Sequence, residues 1–207
     1  MRTKALFLSA AAVVAGVLSA SAQVYSVNVV GYVNKAYPVG FSMAATPLKT
    51  TNNLVASVLP NAPAFTVVYK FSGGSYGAGN THFGGGFWGD GNMSLPPGQG
   101  FFIKSSQQWT NTYVGEVVTS STNNLITGFN MVGSAWPASG AVDTALGLVP
   151  QAFDVVYKFN DGAGYGAGNT YFGGGFWGGG NPTLDVAQGM FYKSVGPNSW
   201  VQNFTVQ

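Results

Sequence analysis

The chain has 207 residues, no cysteine, and charged side chains at only 7% of its positions, against roughly 25% in an ordinary soluble domain. The missing cysteine excludes disulfides, thiolate metal sites, Fe–S clusters and a lipid-modified N-terminal cysteine together. Arg2 and Lys4 fall in a leader; beyond it six lysines face six acids, so the nominal +2 becomes zero and neither nucleic acid nor an anionic membrane surface finds the basic patch it needs.

Residues 1–22 read as a secretory signal: Arg2 and Lys4 form the charged start, residues 5–18 an apolar run, and Ala20-Ser21-Ala22 a small-residue cleavage site. The run is shorter than the ~20 residues of a spanning helix, so export without a membrane anchor is expected, to the periplasm, the cell surface or beyond. Residues 24–34 (VYSVNVVGYVN) alternate as a strand, with Val29 and Val33 on one face and Tyr32 on the other.

A repeat then dominates the chain. VVYKF at 67–71, GAGNTHFGGGFWG at 77–89 and GQGFFIKS at 98–105 return as VVYKF at 155–159, GAGNTYFGGGFWG at 166–178 and AQGMFYKS at 187–194. The offset grows from 88 to 89 because the second copy carries one extra residue in the loop at 160–164. Each copy opens on GFxM (Gly40 to Met43; Gly128 to Met131), and VGEV at 114–117 echoes VGYV at 30–33 as if opening the second unit. The closing strand at 200–206 stands where 109–118 stands in the first unit.

Between GFxM and VVYKF each copy has a short apolar stretch closed by proline, at Pro60 and Pro150, with Asn53 or Asp143 near a helix start. One short helix per unit is expected there, and strands elsewhere. Along VVYKF, residues Phe65, Val67, Tyr69 and Phe71 share a face, as do Phe153, Val155, Tyr157 and Phe159; Phe101 and Ile103 oppose Phe102 and Lys104. Short strands punctuated by Gly, Asn and Pro indicate an all-β fold of two tandem β-sandwich or barrel-like modules. The division reads as leader 1–22, module 23–118, a linker at 119–127 (opening TSSTNN), and module 128–207.

The GFxM opening, short helix, VVYKF-like strand and GQGFF-like strand resemble the all-β modules of exported bacterial proteins that open on GWNLIGNP-like and close on PGQGFFV-like segments. The chain is similar, too, to duplicated bacterial secreted proteins whose mature N-terminus reads VYSVNVVGYVN. This resemblance implies a secreted or surface β-module and carries over no catalytic residue. Phe41 and Phe129 stand where the GWN pattern has tryptophan.

Chemistry is sparse. FGGGFWG contains G-x-G-x-x-G at Gly84, Gly86, Gly89 and again at Gly173, Gly175, Gly178, but a dinucleotide site needs a strand before it, a helix after it and an acid about 20 residues on. His82 is the only histidine, with Tyr171 in its place in the second copy. A single imidazole with scattered acids makes neither a hydrolytic triad nor a transition-metal centre, although Asp90 and Asn92 beside loop carbonyls could hold Ca²⁺ weakly. The acids are Asp90, Glu116, Asp143, Asp154, Asp161 and Asp185, and none recurs between the copies. The repeated unit therefore carries no paired carboxylates of the kind that hydrolyse polysaccharide, and no cofactor is expected.

The aromatics are the better lead. In Phe87-Trp88 and Phe176-Trp177 adjacent side chains leave a strand on opposite faces, so one ring of each pair enters the core and the other does not. With Tyr76, His82, Tyr165 and Tyr171 nearby, these rings form two candidate glycan sites in which a sugar stacks on an aromatic face. The competing reading makes them core, and the protein a non-catalytic structural, adhesive or self-assembling surface protein; low charge weakens repulsion between copies, and the apolar strand at 24–34 is expected to pair with an edge strand of a neighbouring copy. A polysaccharide-active enzyme is the third class.

Overall fold

In a computed structural model, residues 29–204 are described. The leader, residues 24–28 of the first predicted strand and the last two residues of the closing strand lie outside that range. The described chain is nearly all β and falls into two similar halves.

The first half contains β1 (Val30–Tyr37), β2 (Gly40–Ala45), α1 (Val55–Val58), β3 (Val67–Ser72), β4 (Ser75–Tyr76), β5 (Asn80–Gly84), β6 (Phe87–Trp88), β7 (Gly100–Ser105) and β8 (Trp109–Glu116). The second contains β9 (Ser120–Leu125), β10 (Gly128–Gly133), β11 (Gly140–Ala141), β12 (Val155–Asn160), β13 (Gly164–Tyr165), β14 (Asn169–Gly173), β15 (Phe176–Gly178), β16 (Thr183–Leu184), β17 (Gly189–Ser194) and β18 (Asn198–Asn203). Each half has a six-stranded antiparallel sheet, ordered β2-β7-β3-β5-β6 with β4 on β3, and β10-β17-β12-β14-β15 with β13 on β12. A separate two-stranded ribbon, β1-β8 or β9-β18, covers one face of each sheet.

Alternation along the strands gives each sheet two apolar faces. Val68, Phe101 and Ile103 turn toward the ribbon, where they meet Tyr37, Trp109, Tyr113 and the α1 residues Val55 and Val58. Tyr69, Phe71 and Phe102 turn the other way and meet Tyr157, Phe159 and Phe191 of the second half, with Met43 and Met131 between them. The layers therefore run ribbon, sheet, sheet, ribbon. There is one core per half and a third core shared between the sheets.

The seam is close because small residues line it. A Cβ on Gly100 would sit 2.7 Å from the Met131 carbonyl carbon and the Val132 nitrogen, and one on Gly189 would sit 2.6 Å from the Ala44 carbonyl oxygen. Main-chain hydrogen bonds cross here: Ala45 N–H donates to Ala187 O at 3.0 Å, and Gly133 N–H to Gly98 O at 3.0 Å.

Three local expectations are corrected. Ser120–Leu125, expected as a linker, is strand β9, the counterpart of β1, paired along its length with β18. VGEV does not open the second half; it ends β8 and pairs with VGYV of β1, Gly31 opposite Gly115 and Tyr32 opposite Val114. The second short helix is absent: residues 142–148 form turns whose amide bonds span four, five and six residues (Gly147 N–H to Asp143 O, Leu146 N–H to Ala141 O, Leu148 N–H to Val142 O). A steady four-residue ladder is needed for a helix, and Gly147, at φ +75°, breaks it. In α1 the N-cap is Leu54, without a side-chain cap; Asn53 stands one residue earlier, exchanging bonds with Thr50.

Candidate functional site

The residues singled out from the sequence divide among three environments. His82 and Trp88 face each other across β5 and β6, their rings 4.9 Å apart, and both are buried, Trp88 to 3% exposure. The imidazole Nδ1 lies 3.0 Å from Pro63 O. In the second half Tyr171 packs on Trp177 at 5.0 Å, and Trp177 is 4% exposed. Its indole N–H donates to Asp143 at 2.8 Å. The two tryptophans are core residues, and neither offers an open face on which a sugar could stack.

Phe87 and Phe176, their sequence neighbours, are 66% and 64% exposed. The hairpin holding each pair turns through three glycines with positive φ, Gly84 to Gly86 at +98°, +59° and +78° and Gly173 to Gly175 at +97°, +60° and +81°. Only glycine takes such a run without strain, which accounts for the first two glycines of each G-x-G-x-x-G; at the last, Gly178, a Cβ would sit 2.6 Å from the Phe172 ring. The turn brings Phe83 to Phe87 at 5.9 Å and Phe172 to Phe176 at 5.8 Å, all exposed.

In the second half Phe153 joins the patch, and Phe65 holds the equivalent place in the first. Phe65 donates its amide to His82 O and Phe153 to Tyr171 O, both at 2.6 Å, and the Phe153 ring meets Phe172 edge-on at 6.2 Å. Phe65 has φ +66° and Phe153 +72°, a backbone region that costs a non-glycine residue on the order of 1–3 kcal/mol. Even so their rings are 68% and 64% exposed, so no burial of the ring offsets the strain. The surrounding loops hold these rings out in solvent in both halves.

Tyr76 and Tyr165 go to the seam, where their hydroxyls lie 3.2 Å apart. Burial, reinforced by the Tyr76 hydroxyl, pushes the Tyr165 phenol well above its usual range. On either side of the pair is an aromatic groove. One, of 520 Å³, is lined by Phe71, Phe129, Tyr157 and Phe191; the other, of 460 Å³, by Phe159, Phe41, Tyr69 and Phe102, the repeat-equivalent residues. Lys193 and Lys104 stack over the outer rings, Phe129 and Phe41, at 5.6 and 5.5 Å.

A further cavity lies along the seam. It measures 240 Å³ and is lined by the end of β3 (Ser72, Gly73), Pro97, Asn123, Asn124 and Phe129. Around the equivalent position in the other half stand Ser42 and Lys35, and the longer hairpin at 160–164 brings Asp161 to them. Burial raises the Asp161 carboxyl above its ordinary value, against the pull of Ser42 and the Lys35 charge.

Asp154 and Asp90 have structural partners. Asp154 is fully buried and accepts from the Tyr192 hydroxyl, from Gln151 N–H at 2.7 Å and from Val195 N–H at 2.8 Å. Asp90, the candidate calcium ligand with Asn92, accepts the Asn92 amide at 3.0 Å. Phe65 and Phe153, expected to share the strand face of VVYKF, instead precede β3 and β12 with positive φ and stand in solvent; Phe83 and Phe172 carry no expectation from the sequence, although F-GGG-F places Phe83 and Phe87 symmetrically about a turn. No protein-family model, no curated protein and no solved structure matches the chain.

Proposed function

We propose that this is an exported, non-catalytic protein that works by association, copy to copy, through its two phenylalanine triads. The observation that supports this reading is the strained, solvent-held ring at Phe65 and again at Phe153. Compact patches of exposed rings mark surfaces that meet a partner, and a strained conformation maintained twice is a selected feature. Export rests on the leader-like residues 1–22, and the low charge of the chain removes the repulsion that keeps copies apart.

Two equivalent patches make each molecule bivalent, and bivalent units grow into chains unless the geometry closes them. The valence can be counted. Changing Phe65, Phe83 and Phe87 to serine leaves one patch and should stop growth at dimers; changing Phe153, Phe172 and Phe176 as well should give monomers. Analytical ultracentrifugation over a wide concentration range reads this directly. A parent chain that stays monomeric throughout, or assembly indifferent to all six changes, removes the reading.

A further inference from the structure

We propose that the two aromatic grooves flanking the Tyr76–Tyr165 pair bind small planar aromatic anions, one in each groove. Their volumes, 520 and 460 Å³, fall within the roughly 300–1,000 Å³ of small-molecule sites, and rings of both halves line each of them. The walls select the body of the ligand. Phe71 meets Phe191 edge-on at 4.8 Å and Phe102 meets Phe159 edge-on at 4.9 Å, so a further ring finds both faces and edges to pack on. Among the described residues the only side-chain oxygens in the two linings are phenolic. A sugar, with hydroxyls around its whole rim, would find few partners there; a flat hydrocarbon ring needs none.

The lysines select the charge. Lys104 follows Phe102 on the same face of β7 and stands opposite Phe41 of β2; Lys193 follows Phe191 on β17 and stands opposite Phe129 of β10. Both lysines are exposed, and each ammonium lies on the groove side of its sheet, 5.5 and 5.6 Å from the centre of the outer ring. Among the described residues no carboxylate lines either groove. A carboxylate or sulfonate at the ligand's rim can therefore meet an ammonium on its flexible stem while the ring stays on the aromatic walls. The duplication points the same way. On β7 and β17 the residues facing the grooves are the same in both copies, Phe102 with Phe191 and Lys104 with Lys193, whereas those facing the ribbons differ, Phe101 with Met190 and Ile103 with Tyr192. Packing against the ribbons tolerated change that the open grooves did not. The grooves are separate from the phenylalanine patches of the glycine hairpins, so the assignment stands apart from copy-to-copy association.

Calorimetric titration of residues 23–207 with anilinonaphthalene sulfonate tests the assignment, with N-phenylnaphthylamine, the same rings without the charge, and glucose as comparisons. The sulfonate should bind at two sites per chain, the neutral amine about ten-fold more weakly, the size of one charge-assisted contact, and glucose not at all. Lys104→Gln with Lys193→Gln should remove the difference between sulfonate and amine at an unchanged melting temperature. Phe41→Ser and Phe129→Ser should each remove one site, and changing Phe65, Phe83 and Phe87 to serine should remove neither. Equal affinity for sulfonate and amine in the parent chain, sulfonate binding indifferent to Phe41→Ser with Phe129→Ser, loss of binding with the hairpin changes, or no binding at all overturns the proposal.

Discussion

Gly100→Ala tests how closely the two sheets approach. The added methyl would lie 2.7 Å from the Met131 carbonyl carbon and Val132 nitrogen and 2.8 Å from Met131 Cγ, and two of these are backbone atoms that cannot swing aside. Reaching an ordinary contact needs the sheets to part by about 0.7 Å, since carbon contacts are favourable only near 3.5 Å. That stretches the two crossing main-chain bonds, each 3.0 Å, to about 3.7 Å, past the limit of a useful hydrogen bond. At about 0.5–1.5 kcal/mol each, their loss costs about 1–3 kcal/mol. Looser packing of Phe102, Phe191, Met43 and Met131 adds about 1–2 kcal/mol more. Gly91→Ala is the control, because nothing lies within 4 Å of its Cβ position, and it should be neutral or slightly stabilising. Urea unfolding followed by tryptophan fluorescence compares the two, with Gly100→Ala expected about 2–5 kcal/mol below the control. Equal midpoints for the two variants would refute the close seam.

Tyr192→Phe removes a buried hydroxyl donor from Asp154 and should cost about 1.5–3 kcal/mol in chemical denaturation. Thr66→Ala, at the first-half counterpart of Asp154, where the hydroxyl has no partner, should cost less. Asp143 supplies a pH dependence. Burial raises its carboxyl, but donation from Trp177, Asn181 and Thr144 outweighs this and holds it below the usual value. A depressed folded value contributes stability that is present above the ordinary carboxylate range and lost as pH falls through the folded value. Thermal melts from pH 5 to pH 2 should therefore flatten in Asp143→Asn, and an unchanged slope would show that Asp143 is not the titrating group.

The duplication, the all-β class and the facing of Phe101, Ile103 and Phe102 were legible because they depend on spacing and period alone. So was the split of each Phe-Trp pair, although which ring turns inward was not. Strand β9 escaped notice because only Leu125 of its six residues is buried, so no apolar alternation marks Ser, Thr and Asn as a strand; pairing with β18 holds it. VGEV is the ribbon partner of VGYV, not its repeat. Gly115 is required there, since its Cβ would sit 2.3 Å from Lys49 O where the chain after β2 crosses. The seam cavity and the aromatic grooves join residues from both halves, and no pattern within one copy could place them. Tyr76 and Tyr165, glycan contacts beside tryptophan by sequence proximity, lie at the seam instead, because β4 and β13 carry them away from the glycine hairpins.

Asp161 occurs once. In a pair of separate identical subunits, any change beside the symmetry axis is made on both sides together. Covalent fusion lifts that constraint, so one side can carry a lengthened hairpin with a carboxylate while its counterpart keeps the shorter one. A genetic duplication thereby allows the two flanks of a two-fold scaffold to differ.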